Sequence, residues 1–219
     1  MTLKNSFSVA TLSGIILSLG SMPAMAAFGF TGVYAPSNFT FSSSPSGAGD
    51  ETNDLDTTNA ASGKVILYGP DEALNGLTGN PQAAYSQWTI GINSSRAGTV
   101  SFGWKYYNQF DPTIGNDSGG YVLNGTFVSI VSNDGNLNNT QSSAAPVILN
   151  LSQGDSFGFR VSSLTNTGGE GVFTVTDFDF TPQSVPEPLT IFGTGVVLGA
   201  LPILKKEYAK RNKKKDKDT

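Results

Sequence analysis

The segment Asp111-Pro112-Thr113-Ile114-Gly115-Asn116-Asp117 places two carboxylates and an amide within seven residues. Hard oxygen donors at that density suit Ca²⁺, which takes about six to eight oxygens and accepts backbone carbonyls beside carboxylates. Asp177 and Asp179 lie two apart in a strand-like stretch, so they face the same way and could join Asp111, Asn116 and Asp117 around such an ion. The spacing is not that of an EF-hand. Asp and Asn also close turns by bonding nearby backbone, and that reading stands beside the metal. Sugar binding would instead need exposed aromatic rings beside polar groups. Tyr107, Phe110 and Tyr121 lie near turns or opposite an apolar face and are the ligand-facing candidates. Trp88 and Trp104 fall on apolar faces and are expected in the core.

Much chemistry is excluded. The chain has no His and no Cys, which removes disulfides, zinc clusters, Cys nucleophiles and Ser-His-Asp catalysis. Glu51, Glu72 and Glu170 are the only glutamates between residues 27 and 183, all in loop-like surroundings, a poor basis for the paired carboxylates of a glycosidase. A non-catalytic protein is expected. The same span holds thirteen acidic and four basic residues, a net charge of −9. Such a body repels phosphate, which argues against nucleic acid.

The elements that must position these residues are strands. Val100, Phe102, Trp104 and Tyr106 share one strand face, with Ser101, Gly103, Lys105 and Tyr107 on the other. Phe157, Phe159 and Val161 alternate in the same way with Ser156, Gly158, Arg160 and Ser162. Trp88, Ile90 and Ile92 mark another strand, Val147 to Leu151 a short apolar one, and Val172 to Phe180 the last. Asn124-Gly125 joins two further strands with the strongest two-residue hairpin signal. Seven or eight strands between Gly/Asn/Ser/Pro turns predict an all-β domain, an antiparallel β-sandwich of jelly-roll or related Greek-key type, over residues 27–183. Residues 42–62 are polar and nearly free of large apolar side chains, and are expected to form a mobile loop.

The ends carry delivery signals. Lys4, the apolar run Phe7 to Leu19, the helix breaker Pro23 and the small-x-small triplet Ala24-Met25-Ala26 read as a signal peptide over residues 1–26. Signal peptidase cleavage after Ala26 would leave Ala27 first; a buried amphipathic helix is the other reading. Near the C-terminus, Ile191 to Leu204 is apolar but for glycines, Thr194 and Pro202, and with Leu189 and Thr190 predicts a short transmembrane helix over 189–204. Its 16 residues make about 24 Å of helix, short for a bilayer core unless lysines snorkel. The basic tail 205–219 holds eight basic residues against three acidic ones and keeps that end cytoplasmic by the positive-inside rule.

The ending Val185-Pro186-Glu187-Pro188-Leu189-Thr190, the short glycine-containing apolar run and the basic tail together closely resemble the PEP-CTERM sorting signal of Gram-negative and cyanobacterial exported proteins. The lysine-rich tail is most similar to cyanobacterial members. The resemblance implies recognition by an exosortase, cleavage near Pro186-Glu187-Pro188, and release or attachment at the outer envelope. Members commonly come from organisms that make extracellular polysaccharide. Pro202 within the helix, and lysines where many relatives carry arginine, depart from the pattern and bear on how efficiently the signal is processed. An unprocessed single-pass tail anchor would share the orientation. Phe102-Gly103-Trp104-Lys105-Tyr106, Asp111-Pro112, Asp117 and Gly120 to Gly125 are also similar to ectodomains of other PEP-CTERM proteins, which implies a β-sandwich with no assigned reaction. The sequence thus predicts a non-catalytic, exported cell-surface or matrix protein, with a calcium-assisted, lectin-like module for extracellular polysaccharide as the alternative.

Overall fold

Side-chain alternation resolves into twelve strands among the described residues: β1 (Ala27–Phe28), β2 (Thr40–Ser44), β3 (Leu55–Asp56), β4 (Val65–Tyr68), β5 (Ala84–Gly91), β6 (Gly98–Asn108), β7 (Asp117–Leu123), β8 (Thr126–Ser132), β9 (Thr140–Ser142), β10 (Val147–Leu151), β11 (Ser156–Ser163) and β12 (Gly171–Pro182). The computed structural model describes residues 26–45, 54–70, 83–108, 116–136, 139–165 and 170–183. The chain divides into one unit of Ala24–Ser184, which contains all of these, and another of Met1–Pro23 with Val185–Thr219. The expected membrane helix 189–204, the basic tail 205–219, the motif Val185, Pro186, Glu187 and Pro188, and Ala24, Phe110 and Asp111 lie outside the described residues. Among the described residues no helix is long and apolar enough to cross a membrane.

The strands form two antiparallel sheets. Sheet A has seven strands in the order β10-β6-β12-β4-β3, with β1 also on β12 and β9 also on β6; sheet B has five in the order β2-β5-β11-β7-β8. The long strands β6 and β12 make the centre of sheet A, each flanked end to end by two short ones. Along the chain only β3–β4, β7–β8 and β9–β10 follow one another within a sheet; every other successive pair of strands changes sheet. Those crossings make the expected antiparallel sandwich of two sheets. The β7–β8 hairpin turns on Asn124 and Gly125 at φ 53° and 77°, the positive pair that a type I′ turn requires. Asn124 then clamps the next turn: its amide donates to Asp155 Oδ1 at 3.0 Å and its Oδ1 accepts from the Ser156 N–H at 2.9 Å.

With no cysteine to cross-link it, the sandwich rests on aromatic packing between the sheets. Phe39 stacks on Trp88 at 3.9 Å and Phe30 on Phe178 at 4.1 Å, while Phe102 meets Phe159 edge to face at 5.1 Å. Each such buried ring contributes roughly 1.5–3 kcal/mol by leaving water. Phe178 reaches this layer only because β12 is bulged between Thr176 and Asp179. Phe173 and Val175 point inward before the bulge and Phe178 and Phe180 after it, so one extra residue shifts the alternation. Asp177 absorbs the kink at φ 51°.

The polar stretch 42–62 corrects the loop expectation at both its ends. Ser42 to Ser44 belong to β2, which pairs with β5 from Thr40↔Thr89 to Ser44↔Tyr85. Leu55 and Asp56 pair with β4, and a 3-10 turn over Ala60–Ser62 buries Ala60, whose carbonyl accepts from the Phe30 N–H at 2.8 Å. An edge strand draws its stability from ladder bonds to its neighbour and can tolerate a serine run. Apolar alternation therefore does not register it.

Candidate functional site

Among the described residues the calcium candidates do not assemble. Asn116 and Asp117 are both buried. Asn116 Oδ1 accepts from the Thr165 N–H at 3.1 Å and the Thr165 hydroxyl at 2.7 Å, and its carbonyl accepts from the Leu164 N–H at 2.8 Å. The Asp117 carbonyl accepts from the Asn133 N–H at 2.8 Å. Both residues tie the start of β7 to the ends of β11 and β8, the turn-closing role that Asp and Asn also fill. Asp177 and Asp179 lie on the outer face of sheet A. The register sets Gly171, where β12 begins, against Asn108, and Asn108 donates to Asn133 Oδ1 at 2.8 Å. From that end, six to eight residues of strand carry Asp177 and Asp179 away by roughly 20 Å or more. Among the described residues no three His, Cys, Asp or Glu side chains converge.

Among the described residues the aromatic candidates also separate. Tyr121 points into the sandwich, edge to face with Phe102 at 6.4 Å, and packs against the core; it is not ligand-facing. Bulging of β8 near Ile130 and the glycines at 119 and 120 hide that parity in the sequence. Tyr107 is half-buried on the outer face of sheet A, between Val172 and Thr140. Ala26 precedes β1 and Ala27 opens it.

A different group of residues does assemble, on the outer face of sheet B. The ladder aligns Ser42, Gln87, Arg160, Gly120 and Ser129 across all five strands. Tyr85 sits in the row on one side, opposite Ser162, and Phe127 in the row on the other, opposite Val122. The Arg160 guanidinium carbon lies 4.0 Å from the Tyr85 ring centre and 5.3 Å from that of Phe127, so one cation is held between two rings. Arg160 Nε and Nη2 donate to Gln87 Oε1 at 3.0 and 2.5 Å, and Gln87 Nε2 donates to Ser42 Oγ at 3.0 Å. This chain of bonds fixes the guanidinium plane.

Glycine makes the plate flat. A Cβ at Gly120 would lie 3.1 Å from Phe127 Cε2 and 2.1 Å from the Val128 carbonyl oxygen, so the phenyl ring occupies the place of the missing side chain. Tyr85, Phe127, Gln87 and Arg160 are all half-buried: each is anchored, and each still presents an edge or face to solvent. Partial burial lowers the Arg160 pKa below its ordinary value, the neighbouring Tyr85 acts in the opposite direction, and no carboxylate contributes. Tyr85 and Arg160 could have been read from sequence, because alternation puts them opposite Trp88 and Phe159. Their meeting with Phe127 could not, because it depends on register.

No protein-family model matches the chain, and no curated protein matches it either. Solved structures similar to it include a family 35 carbohydrate binding module from Clostridium thermocellum (19% identity, TM-score 0.28, 45% of this chain and 73% of that one). Another is TmCBM61 in complex with beta-1,4-galactotriose (14%, 0.35, 74% and 100%). A third is an exo-beta-1,3-galactanase from Phanerochaete chrysosporium (21%, 0.25, 42% and 21%). These TM-scores are too low for the likeness to bear on strand order or ligand.

Proposed function

We propose that this protein is a non-catalytic, exported polysaccharide-binding module, and that the outer face of sheet B is its binding surface. One observation carries the reading: two half-exposed rings, Tyr85 and Phe127, flank a guanidinium pre-oriented by Gln87 on a five-stranded plate. A pyranose ring has an apolar C–H face and a rim of hydroxyls. The first suits an aromatic face, and the second suits the fixed donors and acceptors of Arg160, Gln87 and Ser162. Five strands span roughly 19 Å, which favours an extended chain over a single small molecule. The plate's residues include no carboxylate, the group that glycoside hydrolysis would need in pairs.

Delivery rests on the sequence ends. The Ala24-Met25-Ala26 cleavage triplet, the Pro-Glu-Pro motif, the apolar run and the lysine tail support signal-peptidase cleavage, sorting by an exosortase, and residence at the outer envelope or beyond. Mass spectrometry of the extracellular protein should find an N-terminus at Ala27 and a C-terminus near Val185 to Pro188; an intact chain in the cytosol would refute the route. Binding is tested by retardation of the full chain in native gels cast with neutral and acidic polysaccharides. Tyr85→Ala and Phe127→Ala should each weaken retardation about tenfold, the loss of roughly 1.4 kcal/mol. No retardation by any polymer, or unchanged binding by the double variant, would sink the proposal.

A further inference from the structure

The four basic residues of the body are Lys64, Arg96, Lys105 and Arg160. Arg96 is committed to main chain, its Nε and Nη1 donating to the Val33 and Gly91 carbonyls at 2.9 Å each. Arg160 is different. Of the five N–H groups of a guanidinium, Gln87 Oε1 takes the one on Nε and one on Nη2. No other hydrogen bond is made by Arg160 among the described residues, so the Nη1–Nη2 fork is open. Partly buried cations ordinarily have an anionic partner. Here the partners are two ring faces and a neutral amide.

The surroundings sharpen this. The three ladder rows of sheet B place fifteen residues on its outer face, and Arg160 is the only charged one. Asp177, Asp179 and Asp56 belong to sheet A, and Asp134 and Asp155 to turns. At physiological ionic strength charges are screened over about 8 Å. The acidic body therefore weakens long-range attraction of an anion without occupying the fork itself. Planar carboxylates take a guanidinium end-on through two parallel bonds, a geometry an ammonium cannot supply.

Resting on the polysaccharide-binding reading, we infer that the plate selects a carboxylate-bearing sugar, a uronate within an acidic polysaccharide. The open fork of Arg160 receives the carboxylate while Tyr85 and Phe127 take the adjoining rings. The test uses the full chain with polygalacturonate and with the same polymer after reduction of its carboxyl groups to primary alcohols. The unaltered protein should bind the acidic form at least tenfold more tightly. Arg160→Lys keeps the charge and loses the fork, and the acidic-to-neutral affinity ratio should fall towards one. Equal affinity of the unaltered protein for both polymers would overturn the inference while leaving polysaccharide binding intact. So would an unchanged ratio in Arg160→Lys. Binding to neither polymer would remove this inference, and silence across a wider panel would remove the parent reading with it.

Discussion

Tyr34 shows how single residues hold the sandwich where no disulfide can. Its ring packs against Phe180 at 4.7 Å and Phe178 at 5.4 Å, and its hydroxyl donates to the Arg96 carbonyl at 2.8 Å. Arg96 reaches back to the Val33 carbonyl, so the two residues bind the N-terminal segment to the β5–β6 connection from both sides. Burial disfavours the phenolate and raises the Tyr34 pKa above its ordinary value of 10.0, against a smaller opposing influence of Arg96. Because the folded value is raised, this group's contribution to stability is complete below about pH 10 and is lost as pH climbs beyond it. Tyr34→Phe removes the titration and leaves the Arg96 carbonyl without its partner. It should cost about 1 kcal/mol at neutral pH and flatten the fall of melting temperature above pH 10. An equally steep alkaline limb in the variant would show that another group drives it.

At the scale of elements, strands with clean alternation were legible and strands shaped by backbone irregularity were not. β5, β6 and β11 bury every second side chain over most of their length, and the Asn124-Gly125 hairpin follows from turn stereochemistry alone. β2 is polar and exists because β5 offers it a ladder. The bulge of β12 shifts its parity so that Phe178 and Phe180 both enter the core. Pairing with Phe159 of β11 sends Tyr121 inward, and pairing with Val122 sends Phe127 outward. A candidate site built on parity alone therefore pointed to Tyr121, whereas the plate depends on which strand lies beside which. Gly120 is the element-scale test of that plate. An added methyl would sit 2.1 Å from the Val128 carbonyl oxygen, and backbone cannot yield as a flexible side chain does. Gly120→Ala should destabilise by about 2 kcal/mol or more, push β8 away and dislodge Phe127. Chemical denaturation would measure the first effect, and loss of polysaccharide retardation under native conditions the second. A variant of undiminished stability would mean that the β7–β8 pairing is not as tight as described.

For the molecule as a whole, the first and last residues of the described body close the same sheet. Ala27 and Phe28 pair with Phe180 and Asp179, Gly29 donates its N–H to the Phe178 carbonyl at 2.8 Å, and the Gln183 N–H reaches the Ala97 carbonyl at 2.9 Å. The proposed signal-peptidase cleavage after Ala26 would thus leave β1 whole, and a cut within the Pro-Glu-Pro motif would fall beyond the last described residue, Gln183. The proposed delivery signals are a matter of linear sequence, whereas the plate needs five strands in register. This sets up a prediction about length. A chain of residues 27–183 should fold and melt like the body of the full protein, because every described core ring lies within it. A chain of residues 31–183 loses β1 and also Phe30, which packs against Phe39, Trp88, Phe159 and Phe178. Loss of so large a buried ring typically costs about 3–5 kcal/mol, a large share of the ~5–15 kcal/mol that holds a domain folded. The shorter chain should therefore unfold at markedly lower denaturant, or fail to fold, while the longer one keeps its midpoint. Equal midpoints would show that β1 and Phe30 are dispensable, and the placement of the cleavage site would then have no structural reason behind it.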